Sequence, residues 1–185
     1  MEKSESKIIK KCQSGGTSEF GALYDKYIKK IYDFVYYKTM HKQTAEDLVS
    51  DVFMKALEKI DLFDEKKGTF NSWIYRIARN TVIDYYRTKK SELNIEDVWD
   101  LSSNENIDLD TDARMKIEKI QEHLSKLKSE QRDIIVMRLW QGMSHAEIAQ
   151  VLGKSESSIK MMYSRVMSQM REEVVVAILC YLFIK

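Results

Sequence analysis

The side chains best suited to contacting nucleic acid lie between residues 156 and 168. In a helical register, the outward positions of this stretch carry short polar and cationic side chains. Such side chains can reach base edges and phosphates in a major groove. They are Glu156, Ser157, Lys160, Met161, Ser164, Arg165 and Ser168. The stretch is therefore predicted to be a helix that reads duplex DNA.

The residues around this helix have the spacing of a helix-turn-helix over 144–171. Ser144 and Glu147 form the S-x-x-E pattern of a capping box, which begins a short helix. Three further positions then follow at the spacing that a helix-turn-helix requires: a small residue, a glycine able to adopt positive φ and an apolar anchor. These structural positions are Ala149, Gly153 and Ile159. A plain helical hairpin remains the alternative.

A second candidate surface lies on residues 70–90. If the apolar stripe from Phe70 to Tyr85 is buried, the opposite face interleaves cations with aromatic rings and an amide. Cations follow phosphates, and rings and amides contact unstacked bases, so this face suits single-stranded nucleic acid. Its members are Tyr75, Arg76, Arg79, Asn80, Tyr86 and Arg87. An ordinary solvated helix face with core aromatics is the alternative.

The predicted helix over residues 44–60 has an acidic outer face. Its inner positions are apolar, and Thr44 is placed as its capping residue. The outer face includes Glu46, Asp47, Ser50 and Asp51. This surface either docks a protein partner or is simply solvated.

We find no arrangement of residues suited to catalysis. His41, His123 and His145 are scattered, and the sequence has no acid pair, metal-ligand spacing, glycine-rich phosphate loop or nucleophile elbow. Cys12 and Cys180 show neither metal-ligand nor disulfide spacing, which favours a reducing cytosol. The chain is predicted to be a cytoplasmic protein without cofactor or metal, and not an enzyme.

Helical periodicity dominates the chain, which contains no proline and only 6 glycines in 185 residues. We predict an all-α fold of two small helical domains, with three amphipathic helices in 1–90 and the helix-turn-helix in 114–173. Residues 91–113 lack helical periodicity and form a predicted flexible linker. The apolar tail 174–185 is too short to span a membrane. No secretory signal is evident at the N-terminus.

Charge follows the same division. The net charge of +1 comprises +5 in residues 1–90, −8 in 91–113 and +4 in 114–185. Two basic blocks flanking an acidic run are typical of two nucleic-acid-facing domains joined by a connector.

In combination, these segments resemble the extracytoplasmic-function (ECF) sigma factors of bacteria. AEDLVSDVFMKALEKIDLFD followed by TFNSWIYRIARNTVIDYYR is similar to domain 2 of that family. LSKLKSEQRDIIVMRLWQGMSHAEIAQVLGKSESSIKMMYSRVMSQMRE is similar to its domain 4. Two unrelated motifs in the right order are more specific than either alone.

The resemblance implies a subunit that binds core RNA polymerase and directs promoter-specific transcription initiation, often controlled by an anti-sigma factor. It places polymerase binding on the acidic face of 44–60. It places capture of the melted −10 non-template strand on loop 64–69 with Tyr75, Arg76, Arg79, Asn80 and Arg87. It places duplex −35 reading on Lys160, Met161, Ser164 and Arg165, and the acidic linker in the RNA channel of the polymerase. No small-molecule substrate is implied.

Met162 and Met167 depart from the pattern, because many relatives carry arginine at these positions. We therefore expect weaker binding to −35 DNA.

Two other classes of function stay open at this point. A stand-alone helix-turn-helix repressor or activator would account for 144–171, but it needs no strand-opening face in 44–90. A protein-interaction module would use its basic blocks to bind acidic partners without preference for a DNA sequence. A nucleic-acid enzyme is disfavoured, since no acid–base or metal group was found.

Overall fold

The structure is a computed structural model, and it describes residues 3–92, 124 and 126–169. All regular elements within these residues are helices, so the all-α prediction is confirmed. The seven helices described are α1 (Lys3–Gln13), α2 (Phe20–Thr39), α3 (Lys42–Glu58), α4 (Phe70–Glu92), α5 (Ser129–Ile135), α6 (His145–Leu152) and α7 (Glu156–Gln169). Short 3₁₀ turns lie at Thr17–Glu19 and Ile60–Leu62, and a wider π turn, Val136–Trp140, continues α5. The predicted linker beyond residue 92 and the predicted tail lie outside the described residues.

Helices α1 to α4 form an N-terminal bundle. Their apolar stripes meet in a core whose largest fully buried side chains include Phe34, Phe70 and Tyr75. The α2 helix ends where Met40 adopts a left-handed conformation with φ of 51°, and its N–H donates to the Tyr36 carbonyl at 2.7 Å. The tight turn at this point lets α3 pack antiparallel to α2.

The predicted cap of α3 is wrong by one helical turn. The helix begins at Lys42, and the residue before it, His41, is its N-cap. The His41 Nδ1 accepts the backbone N–H of Thr44 at 3.1 Å, so Thr44 lies inside the first turn. A histidine ring nitrogen here replaces the hydroxyl that usually satisfies a free N–H at a helix start.

The N-terminal helix α1 was not predicted, and it supports the loop between α3 and α4. Its Ile9 and Cys12 are buried in the core. The Gln13 side-chain amide donates to the carbonyls of Ile60 at 3.0 Å and Phe63 at 2.8 Å. Nearer the start of α1, the Ser6 hydroxyl donates to the carboxylate of Glu65, which lies in the same loop, at 2.6 Å. Helix α1 therefore fixes the backbone at the start of this loop.

Replacing Gln13 by alanine is expected to lower the free energy of unfolding by about 1 to 3 kcal/mol. The reason is that two carbonyls lose their donor in a partly buried place. Urea denaturation followed by circular dichroism measures the change. Lys10→Ala, at an exposed position of the same helix, is the control and should change stability by less than about 0.5 kcal/mol. Equal effects of the two substitutions would contradict this role of Gln13.

Helices α5 to α7 form a C-terminal bundle that contains the predicted helix-turn-helix. Ser144 Oγ accepts the backbone N–H of Glu147 at 3.2 Å, and the Glu147 carboxylate accepts the backbone N–H of Ser144 at 2.9 Å. Gly153 ends α6 with φ of 65°, and Ile159 is fully buried. The capping box, the turn glycine and the apolar anchor are therefore confirmed, and Ala149 is buried as expected.

The two bundles pack against each other. Apolar side chains of α5, α6 and α7 join those of α2, α3 and α4 in one continuous core. At its edge, the Tyr37 and Trp140 rings lie 5.3 Å apart between centroids. The face of α4 that was predicted to bind nucleic acid lies at this interface.

Candidate nucleic-acid interface

Tyr75 lies in the core, and the prediction that it belongs to the exposed face of α4 is wrong. Its ring is fully buried and packs edge-on against Phe34, with 5.2 Å between ring centroids. Its hydroxyl donates to Gln141 Oε1 of the C-terminal bundle at 2.8 Å. Burial raises the pKa of this phenol well above its usual range. Tyr75 is therefore a packing residue of the bundle interface, and it is inaccessible to DNA in this arrangement.

Arg79 forms an ion pair across the interface. Its Nε donates to Asp133 Oδ2 at 2.9 Å, and the other carboxylate oxygen, Oδ1, accepts from the Lys38 ammonium. The Asp133 side chain is 0% exposed and that of Lys38 is 5% exposed. Burial lowers the pKa of Lys38, while the charge and the hydrogen bond of Asp133 oppose that shift. We call these three residues, Lys38, Arg79 and Asp133, the Asp133 site.

Arg76 and the loop before α4 border a cavity of about 180 Å³. Asp64, Thr69 and Trp73 contribute to its walls. The Thr69 hydroxyl accepts the backbone N–H of Ser72 at 3.1 Å, so Thr69 caps the start of α4. The cavity combines an aromatic ring with polar groups, which is the chemistry that a single unstacked base requires.

The C-terminal bundle closes one side of this cavity through Gln150. Its backbone carbonyl accepts from the Arg76 guanidinium. Its side-chain Oε1 would lie 2.7 Å from a Cβ placed on Gly68, so the two residues are close and a side chain at position 68 would displace Gln150. This oxygen is buried without a hydrogen-bond partner. Gln150 therefore forms one wall of the cavity, next to the loop.

A further polar contact joins the bundles beside the cavity. Asn71 Nδ2 donates to Glu147 Oε1 at 3.1 Å. Desolvation tends to raise the pKa of Glu147, but hydrogen bonds from Ser144 and Asn71 outweigh it and lower the pKa. The Glu147 carboxylate of the capping box thus also forms a hydrogen bond between the two bundles.

The remaining predicted residues of the α4 face stay accessible. Asn80 is exposed, and Arg87 is exposed with an ion pair to Asp84 at 2.8 Å. Tyr86 is half-buried, and its hydroxyl donates to the Lys38 carbonyl at 3.0 Å. The C-terminal bundle therefore covers the first half of α4 more than the second.

The acidic face of α3 points to solvent. Glu46, Asp47, Ser50 and Asp51 are all exposed. Beside them, Tyr24 and Met54 expose 42% and 56% of their surfaces along a groove between α2 and α3. A partner that docks here would meet both negative charge and apolar area.

The predicted DNA-reading helix, α7, is exposed along its outer face. Lys160, Met161, Ser164 and Arg165 are all exposed, and Lys160 pairs with Glu156 at 2.7 Å. Met162 and Met167 are half-buried and pack against the core. Packing of the bundles thus leaves this surface open, while it covers Tyr75 and most of Arg79 on the α4 face.

Two further properties hold for the described part of the chain. We find no group of three or more histidine, cysteine, aspartate or glutamate side chains able to hold a metal ion. No helix there is long and apolar enough to cross a membrane.

Residues outside the sequence-predicted set also matter at the interface. Lys38, Asp133 and Gln150 were not singled out, although each contacts the α4 face or the loop before it. The burial of Lys38 and Asp133 is seen only in the structure, so their residue types alone gave no signal of this role.

Comparisons with known proteins agree with this arrangement. Sigma-70 region 2 matches residues 23–92, and Sigma-70 region 4 matches residues 117–170. The chain is 32% identical to the ECF RNA polymerase sigma factor BldN of Streptomyces coelicolor over 85% of its own length, and it spans 61% of BldN. It is 31% identical to the RNA polymerase sigma factor YlaC of Bacillus subtilis, over 74% of this chain and 81% of YlaC.

Among solved structures, the fold is similar to the sigma factor RpoE in its complex with the anti-sigma factor NepR from Bartonella quintana. The TM-score is 0.68 at 23% identity, over 83% of this chain and 95% of RpoE. Both sequence regions, their order and the helical fold therefore agree. The chain belongs to the extracytoplasmic-function group of RNA polymerase sigma factors, whose members direct promoter-specific transcription initiation.

Proposed function

We propose that this sigma factor uses three separate surfaces to start transcription. The acidic face of α3 binds core RNA polymerase. The loop before α4 and the α4 residues Arg76, Arg79, Asn80 and Arg87 capture the melted non-template strand of the −10 element. The outer face of α7 reads the duplex −35 element through Lys160, Met161, Ser164 and Arg165.

The cavity beside α4 is the observation that carries this proposal. It sits between a loop held by α1 and a helix that presents cations and an amide, and Trp73 forms part of its wall. An aromatic wall with polar partners suits one flipped base, and the adjacent cations suit the phosphates on either side of it. A repressor that binds only duplex DNA has no use for such a cavity.

The partners follow from these surfaces. They are core RNA polymerase, a promoter with melted −10 and duplex −35 elements, and an anti-sigma factor of the kind bound to the RpoE relative. Because polymerase and chromosome share the cytoplasm, the protein acts there. We assign −10 reading to a domain in 1–90 and −35 reading to a domain in 114–173.

Replacing Asn80 by alanine is expected to reduce promoter opening by about tenfold, since a lost base contact is worth roughly 1 to 3 kcal/mol. Asn80 is exposed and lies clear of the described contacts with the C-terminal bundle, so the substitution leaves the packing of the bundles alone. The assay adds purified protein to core polymerase free of other sigma factors, on genomic DNA. Transcript starts and permanganate-reactive thymines are then mapped.

Polymerase binding by the Asn80 variant should be unchanged, as judged by co-elution with the core enzyme. Lys29→Ala removes an exposed cation on α2 and is the matched control. Arg76→Ala is less clean, because it removes a proposed DNA contact and also the bond to the Gln150 carbonyl. Absence of discrete starts and of co-elution for the wild-type protein would contradict the proposed function.

A further inference from the structure

The Asp133 site has the composition of an anion-binding site that is filled from within the chain. Lys38 of α2 and Arg79 of α4 both belong to the N-terminal bundle, and each donates to a different oxygen of the Asp133 carboxylate. Asp133 belongs to α5 of the C-terminal bundle, 95 residues from Lys38 along the chain and 54 from Arg79. When the bundles separate, the two cations remain together on the N-terminal bundle and lose their anion.

A DNA phosphate offers the same acceptors as this carboxylate. Both present two partly negative oxygens on one central atom, and both accept charge-assisted hydrogen bonds from lysine and arginine. The two cations lie on the same bundle as Arg76 and Asn80, which we assign to the −10 strand. Arg79 lies one helical turn after Arg76 and directly before Asn80 on α4, so a strand bound to those two residues passes Arg79. Lys38 shares the Asp133 carboxylate with Arg79 and therefore lies beside it.

We propose that Lys38 and Arg79 form a phosphate-binding site for the melted −10 strand, and that Asp133 occupies this site in the free protein as an internal competitor. The inference rests on the proposed function of the α4 face and deepens it by adding Lys38 and a means of control. The C-terminal bundle then blocks strand binding until it moves away.

Gln150 supports the same conclusion from a second place on the interface. Its side chain lies against Gly68 at the cavity, and its carbonyl takes the Arg76 guanidinium. The C-terminal bundle thus forms a wall of the proposed base cavity, holds Arg76 and occupies the proposed phosphate site at once. The buried Gln150 Oε1 has no hydrogen-bond partner, and such a group disfavours the packed arrangement. An interface with this defect is suited to release.

The packed and separated forms of the protein are then in equilibrium, and this equilibrium sets the apparent affinity for single-stranded DNA. If only the separated form binds DNA, the apparent affinity falls in proportion to the fraction of separated molecules. Weakening the Asp133 site raises that fraction and tightens binding without adding any contact to DNA.

The test measures binding of the full chain to a fluorescent 12-nucleotide single-stranded DNA of random sequence, by anisotropy. Asp133→Asn keeps the shape of the side chain and removes its charge, and we expect about fivefold tighter binding than wild type. Adding Lys38→Ala to this variant should weaken binding again. It should also reduce the slope of log affinity against log salt by about 0.7, the value for one lost phosphate contact on a single strand.

Glu130→Gln is the matched control. It makes the same change of charge on the same helix, but Glu130 pairs with Lys154 inside the C-terminal bundle at 3.3 Å. We expect its binding to equal that of wild type. Gln141→Ala changes no charge and removes the acceptor of the Tyr75 hydroxyl across the interface, so it should also tighten binding. This variant provides the same test if Asp133→Asn does not fold.

Binding by Asp133→Asn and Gln141→Ala no tighter than by Glu130→Gln would overturn the competition. An unchanged salt slope on adding Lys38→Ala would overturn the phosphate site. Both readouts use free protein, so they decide the inference whatever the transcription assay gives. Transcription that starts normally alongside either negative result leaves the proposed function standing.

Discussion

Replacing Tyr75 by alanine is expected to lower the free energy of unfolding by about 3 to 5 kcal/mol, the usual range for a buried aromatic side chain. The ring is fully buried and meets Phe34 edge-on in the centre of the N-terminal bundle. Truncation leaves a cavity between α2 and α4 and removes the hydrogen bond to Gln141. Urea denaturation of the full chain, followed by near- and far-ultraviolet circular dichroism, measures the change.

Tyr75→Phe separates the contribution of ring packing from that of the hydrogen bond to Gln141. It keeps the ring and removes the hydroxyl, so it should cost only about 0.5 to 1.5 kcal/mol. If alanine and phenylalanine variants were equally stable, the ring would not lie in the core. The phenylalanine variant should retain transcription, because a packing residue needs its shape and not its hydroxyl. Strong loss of promoter opening by Tyr75→Phe at unchanged stability would instead favour a direct contact with DNA.

The error over Tyr75 shows what helical periodicity can and cannot establish. The stripe that begins at Phe70 correctly identifies the face of α4 that packs on α2 and α3. Periodicity does not reveal how wide the buried region is, because that depends on how many neighbours a helix has. Here a second bundle covers α4 from another side, so Tyr75 and most of the Arg79 side chain are also buried.

Local chemistry was predictable where it depends on adjacent residues. The capping box at Ser144 and Glu147, the left-handed Gly153 and the buried Ile159 all follow from spacings of a few residues. Helix α1 was missed because most of its positions are polar. Its stability depends on distant partners, such as the carbonyls of Ile60 and Phe63 that accept from Gln13.

The contacts between the bundles could not be predicted from one sequence. An aspartate at position 133 looks like any polar residue of an amphipathic helix, and its partners lie 54 and 95 residues away. Gln150 and Gly68 likewise meet only because α6 packs beside the loop. Sequence patterns thus predicted two surfaces for nucleic acid, whereas the structure shows that the C-terminal bundle covers part of the one on α4.

The Lys38→Met substitution is expected to separate the bundles. It leaves the fully buried Asp133 with Arg79 as its remaining cationic partner in the site, and removal of one member of a buried ion pair costs about 3 to 5 kcal/mol. The chain can avoid this penalty by exposing Asp133 to water, which requires that the C-terminal bundle leave the N-terminal bundle and the apolar core that they share. Small-angle scattering should therefore show a larger radius of gyration, while far-ultraviolet circular dichroism shows that the helices persist.

The double variant Lys38→Met with Asp133→Leu tests whether the unpaired charge of Asp133 is what separates the bundles. Two apolar side chains of similar volume remove the buried charge, and such replacements are often neutral or stabilising by about 1 to 4 kcal/mol. We expect this variant to be as compact as wild type and to bind single-stranded DNA less well than Lys38→Met alone, because packed bundles cover the α4 face. In a double-mutant cycle, the two substitutions should couple by several kcal/mol. Additive effects, or a double variant as expanded as Lys38→Met, would mean that the Lys38–Asp133 pair does not hold the bundles together. Packing of the C-terminal bundle over α4 would then depend on the apolar contacts around Trp140 and Tyr37.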